Sequence, residues 1–375
     1  MTQGMEERHI WKANWALLFF TVVLSVIGLL NLYSASVIRL GEGISLAPYF
    51  HRQCLWVGLG VLCMLGCMFL DYRRLISSAE LFLILSVALL AALFLLYPDN
   101  AIKRWYPLGA VNFQPSEAVK ISVMLLAAKM LSRGKNPLGW KEFGIIVCIG
   151  LVPAILVLKQ PDLGTAMIIM LILGGMILFR GVKVSIVKVG LVFLVFSPLA
   201  LAKLVLPNLL DYQRDRLIGF VSPDKASPKS VYQSEQSKIA VGSGQIRGRG
   251  YLEGTQSKLR FIPAKHTDFA MAVFGEEWGF VGSVTLVVLF CIFLLSIYAT
   301  VSSAGDRFGG MLGAGIFFYF FWQVLINMGM VLGIMPVVGI PLPFISYGGS
   351  ATLVNFCMVG LLLNISMHRY VFRVV

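Results

Sequence analysis

The sequence predicts an all-α integral membrane protein of about ten transmembrane helices with one long extracytoplasmic loop between helices 7 and 8. Three observations carry this. Of 375 residues, 58% are hydrophobic and only 13% charged, about half the charged fraction usual for a soluble domain. Apolar runs of bilayer-spanning length, roughly 18 to 23 residues, recur along the whole chain. One segment alone, 207–265, is both long and polar. Residues 1–375 therefore read as a single polytopic membrane domain, with no room for a separate soluble one.

The first run, Trp15 to about Ser34, follows a short polar stretch holding Arg8 and Lys12. It is too long for a signal-peptide core and lacks a small-residue cleavage site, so it is expected to stay as a helix that also directs insertion. With 15–35 as the first span, the others are expected at 54–70, 76–97, 115–132, 144–159, 163–180, 185–205, 268–300, 309–333 and 346–367. An even number puts both termini on one side. Basic residues in short loops decide which side that is. Thirteen fall with the termini: Arg8, Lys12, Arg73, Arg74, Arg133, Lys135, Lys141, Arg180, Lys183, Lys188, Arg307, Arg369 and Arg373. Five fall opposite: Arg39, Arg52, Lys103, Arg104 and Lys159. The bias favours cytoplasmic termini and places 207–265 outside.

That loop carries ten Lys/Arg and five Asp/Glu, a net charge of +5. Long loops escape the charge rule, so the orientation stands. A connection of this length is usually functional or disordered. Its aromatic residues Tyr212, Phe220, Tyr232 and Tyr251 argue for some structure. The alternative is a solvated tether near lipid headgroups. The stretch Gly242 to Gly250 fits neither the dinucleotide fingerprint nor the nucleotide P-loop. What survives is flexible backbone with Arg247 and Arg249, suited to an anion-binding nest or simply to a supple loop.

All six cysteines lie in apolar runs, where thiols behave as small hydrophobes, so neither disulfides nor a zinc site is implied. Polar residues in the spans are more informative. Glu117 and Lys120 sit three apart, on one helix face. Either one unpaired in hydrocarbon costs roughly 2.5 to 3.5 kcal/mol on insertion scales. Mutual pairing is the simplest account, either as a packing device or as a charged cavity wall. Asp162 follows Pro161 at a helix break, where it can cap the next helix or approach Lys120. Asp268 stands where the long loop enters the eighth helix, beside Lys265, His266 and Thr267. It too reads as a cap, although no Glu or Gln completes a capping box. As a carboxylate at the outer interface it is equally placed to be a general base for a lipid-linked substrate.

Taken together the segments resemble the SEDS family (shape, elongation, division and sporulation) over nearly the whole chain. Arg104-Trp105, then Phe113-Gln114-Pro115-Ser116-Glu117 with Lys120, is similar to one family signature. Gln160-Pro161-Asp162-Leu163-Gly164-Thr165 is similar to a second. Tyr212-Gln213, Arg216, Tyr232-Gln233, Gln236-Ser237 and the glycines from Gly242 to Gly250 match the long loop. His266-Thr267-Asp268-Phe269 with Glu276-Glu277, and near the end Gly339 to Phe344 and Ser346-Tyr347-Gly348-Gly349-Ser350, complete the pattern. Ile340-Pro341-Leu342-Pro343-Phe344 looks more like the elongation branch, RodA, than the division branch, FtsW. Ser243, where glycine is usual, and Ala351, where serine is common, are departures that touch no charged position.

The resemblance implies glycan-strand polymerisation from lipid II on the outer face of the bacterial cytoplasmic (inner) membrane. Asp268 aligns with the family's essential aspartate, and Glu117, Lys120 and Asp162 with its charged cavity residues. Substrate contacts are expected from Arg104, Gln114, Ser116, Arg216, Gln233, Gln236, Ser237, Lys265, His266, Thr267, Ser346 and Tyr347. An α-linked donor giving a β-1,4 product means inversion, with Asp268 as base. The departing undecaprenyl pyrophosphate would be steadied by Arg214, Arg216, Arg247 and Arg249, or by a divalent cation, magnesium or manganese. No penicillin-binding Lys-Thr-Gly motif occurs. A class B penicillin-binding protein is therefore the expected transpeptidase partner, beside the nascent glycan strand and other elongation-machinery membrane proteins. No nucleic acid is expected. The competing reading is a lipid II flippase or transporter, since intramembrane polar residues and a Pro-broken helix junction suit that too. A scaffold for cell-wall machinery is the third.

Overall fold

The computed structural model describes residues 10–40, 43–96, 104–108, 111–133, 137–200, 211–222, 227–258 and 264–368. Of the basic residues used for orientation, Arg8, Lys103, Lys135, Arg369 and Arg373 lie outside these. The same holds for 207–210, 223–226 and 259–263 of the long loop.

The described chain is a helical bundle: α1 Trp15–Ser36, α2 Tyr49–Phe69, α3 Leu75–Leu96, α4 Pro115–Arg133, α5 Trp140–Lys159, α6 Leu163–Arg180 and α7 Val184–Ala200, then α8 Asp211–Val221, α9 Pro228–Ser243 and the short α10 Thr255–Lys258, and finally α11 Ala270–Ser302, α12 Arg307–Val331 and α13 Gly349–Met367. Among the described residues, eight helices are long and apolar enough to cross a membrane. The two other long helices fall short for physical reasons. The apolar run of α4 is interrupted by Glu117, Lys120 and Lys129, and α7 has 17 residues. Leu, Val and Phe side chains stand exposed on α2, α3, α5 and α11, a surface that hydrocarbon satisfies and water does not. The protein is a multi-pass membrane protein.

Two features escape the apolar pattern. Short antiparallel hairpins, β1 Val37–Leu40 with β2 Gly43–Leu46 and β3 Tyr106–Leu108 with β4 Val111–Phe113, follow α1 and precede α4. The described part of the long loop is largely helical, and α9 packs on α11.

The connections alternate between two ends of the bundle. At one end Asn14 caps α1 and ties it to Ser296 and Thr300 of α11 and Ser366 of α13. There too the Tyr72 hydroxyl, from the α2–α3 turn, donates to Asp306, which caps α12. A backbone bridge between Leu138 and Val182 joins the α4–α5 and α6–α7 connections. The termini of the bundle and most of the described basic residues of the short connections share this end. At the opposite end the hairpins, the α5–α6 turn, the loop into α11 and the segment 332–348 come together.

Buried polar side chains bind these helices where apolar area cannot, because lipid is as apolar as leucine. Ser86 bonds Ser122 across α3 and α4, Asn31 of α1 donates to Ala270 of α11, and Gln53 of α2 meets Thr352 of α13. The 33 residues of α11 are broken at Gly279, whose φ of 66° lies in the left-handed region. A Cβ there would stand 2.2 Å from Gly248 N. The kink thus admits the glycine stretch of the loop, which docks by Phe280 N–H to Gln245 O at 2.8 Å and Gly250 N–H to Glu277 O at 3.1 Å. These glycines serve backbone approach to α11.

Candidate functional site

Two charged groups arise from the sequence signals. The first opens α4. Its start is pinned where Gln114 N–H donates to Ser350 Oγ at 3.1 Å, which in turn donates to Asn112 O. Glu117 and Lys120, one turn apart and both buried, pair at 2.7 Å. Lys120 Nζ also lies 5.1 Å from the ring centre of Tyr319 on α12, a cation–π contact worth more when desolvated. The Tyr319 hydroxyl continues to Asn355 of α13 at 2.7 Å. Ser116 is buried beside this pair.

The second group gathers at the loop end of the bundle. Asp162 caps α6, as its place after Pro161 suggests: Oδ1 accepts from Thr165 N–H at 3.1 Å and Oδ2 from Thr165 Oγ1 at 3.0 Å. Gln114 Nε2 reaches the same Oδ2 at 3.4 Å. Asp162 therefore meets Gln114, while the ion-pair partner of Lys120 is Glu117; the approach of Asp162 to Lys120 is not what the helix ends produce. Arg104, in the run-up to the second hairpin, donates to the carbonyls of Gln160 and Pro161 and so holds this turn.

Asp268 does not cap α11. The N-cap is Phe269, and neither Thr267 nor Asp268 supplies a capping bond. Instead Thr267 N–H and Phe269 N–H both donate to Ala264 O, making a tight turn that lifts the Asp268 carboxylate clear of the helix. Asn327, fully buried in α12, clamps the turn by donating to Asp268 O at 2.9 Å and Ile340 O at 2.7 Å. Gly339 (φ 75°) passes so close that a Cβ would lie 3.2 Å from Asp268 Oδ2 and 3.8 Å from an Arg216 Nη. Burial raises the Asp268 carboxyl above the usual carboxylate range. Arg216 opposes that rise, Asp162 adds to it, and Thr267 and Arg104 oppose it more weakly. Asp268, Asp162, Arg216 and Arg104 thus share one electrostatic field, drawn from four separate segments.

Around this cluster His266 stacks on Tyr49 at 4.7 Å, and Tyr49 meets the Tyr347 ring edge-on at 5.4 Å. Tyr347 N–H donates to His266 O, and Ser346 Oγ accepts from Leu342 N–H, so both residues fix the turn 342–348. Burial, with help from Lys265, lowers the His266 imidazole to about 4, leaving it neutral at neutral pH. In α9 Ser237 is buried and donates to Val331 O, whereas Gln233 and Gln236 are half-buried.

Of the four cations expected to steady a leaving anion, only Arg216 adjoins Asp268. Arg249 reaches back to Ser243 O and Thr255 Oγ1, Arg214 is exposed, and Arg247 lines a groove between α1 and α11. Glu276 and Glu277 are structural: Glu276 accepts from Thr255 and Gln256 of α10, and Glu277 from Ser34 of α1. Among the described residues no three His, Cys, Asp or Glu side chains gather as ligands, and Arg216 and Arg104 act on the Asp268 charge.

Sequence reasoning missed Asn327, Tyr49 and Tyr319. A signal existed for Asn327: with Gln323 it forms a polar i, i+4 pair in an otherwise apolar helix.

A family model described as "Cell cycle protein" (FtsW/RodA/SpoVE) matches residues 15–371. The chain belongs to this family. Its relatives include the peptidoglycan glycosyltransferase MrdB of Escherichia coli K12, 36% identical over 352 residues that make up 93% of each chain. Among solved structures, the rod shape determining protein RodA of Thermus thermophilus is 28% identical with a TM-score of 0.70, covering 96% of this chain and 98% of that one. Another, from work on structural coordination of polymerization and crosslinking by a peptidoglycan synthase complex, is 30% identical with a TM-score of 0.79, covering 96% of this chain and 99% of that one. FtsW/RodA/SpoVE membership and the RodA-like relatives agree with the SEDS resemblance and its elongation branch.

Proposed function

We propose that this chain is a peptidoglycan glycosyltransferase that polymerises glycan strands from lipid II, serving cell elongation and rod shape. The observation that carries the site assignment is Asp268, a carboxylate that the fold spends on no cap and holds in a field shared with Arg216, Asp162 and Arg104. The family relatives named as peptidoglycan glycosyltransferases support the reaction class.

In this reading the acceptor's sugar hydroxyl attacks the donor's anomeric carbon with inversion. Asp268 takes the hydroxyl proton; a base in this role contributes roughly 10²- to 10⁴-fold. Burial raises the carboxyl's affinity for a proton, and Arg216 opposes that rise. The C–O bond to undecaprenyl pyrophosphate breaks as the glycosidic bond forms. The leaving pyrophosphate departs as an anion and needs positive charge more than a proton. Arg216 and Arg104 stand nearest for that task, with Lys265 at the same turn. Asp162, fixed by Thr165 and Gln114, orients this group. Glu117 and Lys120, with Ser116, form the charged wall below it. Gln233, Gln236 and Ser237 of α9, with His266, Thr267, Ser346 and Tyr347, border the entrance.

All ten long helices span the bacterial inner membrane in this reading, with both termini cytoplasmic and the α8–α10 loop outside. Support comes from the end that holds both termini of the bundle, which also carries Arg73, Arg74, Arg133, Lys141, Arg180, Lys183 and Arg307. A class B penicillin-binding protein is the proposed crosslinking partner, and the solved synthase complex among its structural relatives supports that. Purified protein, with and without this partner, is incubated with labelled lipid II in detergent. A ladder of uncrosslinked glycan is expected. No polymer under either condition would reject the enzyme and favour a transporter, tested next by transbilayer movement in liposomes.

A further inference from the structure

We propose that the groove between α1 and α11 binds an acidic phospholipid, with an acyl chain along the groove and the phosphate on Arg247. The inference is independent of the glycan reaction.

The groove has a volume of about 620 Å³ and is walled by Ile27 and Leu30 of α1 and by Phe274, Trp278, Val281 and Leu289 of α11. Below the level of Arg247, the α11 wall from Val281 to Leu289 is roughly 12 Å long at 1.5 Å per residue. That is most of one leaflet of a hydrocarbon core about 30 Å thick. The walls are apolar along this run, which suits an extended hydrocarbon chain.

The polar head of the groove is built rather than incidental. Arg247 sits in the loop stretch that hydrogen-bonds along the α11 kink, flanked by Val281 N–H to Ile246 O at 3.1 Å and Gly248 N–H to Gly244 O at 2.8 Å. The backbone that carries the guanidinium is thereby fixed level with Gly279 and Val281 of α11, while the side chain itself is exposed. At the same level Trp278 stacks on Phe274 at 5.9 Å and meets Tyr251 at 6.3 Å, and the Tyr251 hydroxyl donates to Leu30 O. Trp and Tyr of this kind mark the headgroup level of a bilayer. A cation there, directly above an apolar channel, matches one ligand chemistry: an aliphatic chain ending in a net anionic phosphate. A zwitterionic lipid offers the same chain but cancels the charge.

The test uses tryptophan fluorescence of the full-length protein in detergent, with phosphatidylglycerol or phosphatidylcholine carrying brominated acyl chains as quenchers. Subtracting the Trp278→Phe variant isolates the Trp278 signal. Half-quenching is expected at about fivefold lower mole fraction of phosphatidylglycerol than of phosphatidylcholine, the factor for one cation near acidic lipid. Arg247→Gln should erase this preference without changing quenching by phosphatidylcholine, and Arg247→Lys should keep most of it. Equal quenching by both lipids, or a preference that survives Arg247→Gln, overturns the proposal. Loss of quenching by both lipids when the protein is purified with a single-pass partner would also overturn it, making the groove a seat for that partner.

Discussion

The two charged groups of the bundle solve opposite problems. Glu117 and Lys120 sit one turn apart on one helix, pair at 2.7 Å and have Tyr319 over the cation. Every part of that arrangement lowers the cost of charge in a low-dielectric interior. Asp268 is treated differently. Its turn is held by backbone bonds to Ala264 and by the Asn327 clamp, all of which leave the carboxylate itself outside the cap. It faces Arg216 and Arg104 but also a second carboxylate, Asp162, and burial works against its ionisation. A charge that a fold neutralises locally is a wall; a charge held half-compensated, from four segments at once, is available for chemistry.

Breaking the wall should cost the most stability. Lys120→Met leaves Glu117 buried without its partner and is expected to lower stability by about 3–5 kcal/mol. Glu117→Gln combined with Lys120→Met should recover at least half of that loss in thermal unfolding of the detergent-solubilised protein. If the double variant is as unstable as the single one, the pair is not a self-contained unit.

Arg216→Gln probes the other group. It removes one charge-stabilising donor and should lower the polymerisation rate by about 10²-fold or more. It should also move the acid limb of the pH–rate profile. Arg216 holds the Asp268 carboxyl down, so without it the base protonates at higher pH and activity fails sooner on acidification. An unchanged acid limb would uncouple the two residues. A smaller effect is expected from Gly339→Ala, which puts a Cβ 3.2 Å from Asp268 Oδ2 at a φ of 75°. The left-handed backbone alone costs about 1–2 kcal/mol, and the rate should fall while Glu117 and Lys120 stay intact.

The smallest concerns His266. Its folded imidazole titrates at about 4 against an ordinary 6.5, so folding favours the neutral ring. Stability contributed by neutral His266 is present above pH 6.5 and is lost as pH falls toward 4. His266→Phe should therefore flatten the loss of thermal stability over that window. An identical acid dependence would mean that another group governs it.

How much of this the sequence carried depends on the kind of signal. Among the described residues, long apolar runs located eight helices long and apolar enough to cross a membrane, because lipid demands unbroken hydrophobicity. The starts of α2 and α13 were misjudged. Tyr49 to Gln53 does not read as apolar, yet forms the first turn of α2 with Gln53 bonded to Thr352. Ser346 and Tyr347 look helical by position but fix a turn before Gly349. The hairpins were invisible because three- and four-residue strands carry no period. Glu117 with Lys120 was legible from i, i+3 spacing alone. The meeting of Asp268 with Asp162, Arg216 and Arg104 was not, since these residues stand 52 to 164 positions apart from Asp268 in the chain. The charge count did not show where the loop's cations stand: Arg247 and Arg249 are carried on backbone that docks at the α11 kink.

The most direct test of the central claim compares wild type with Asp268→Asn in a lipid II polymerisation assay, with thermal unfolding measured on the same preparations at neutral pH. Because burial disfavours ionised Asp268 in the folded state, the amide should leave stability equal or raised. Polymer from wild type, a loss of at least about 10²-fold in the variant and an undiminished unfolding temperature are the expected result. Near-normal polymer from Asp268→Asn, or a variant that fails because it no longer folds, would contradict the assignment of Asp268 as the base.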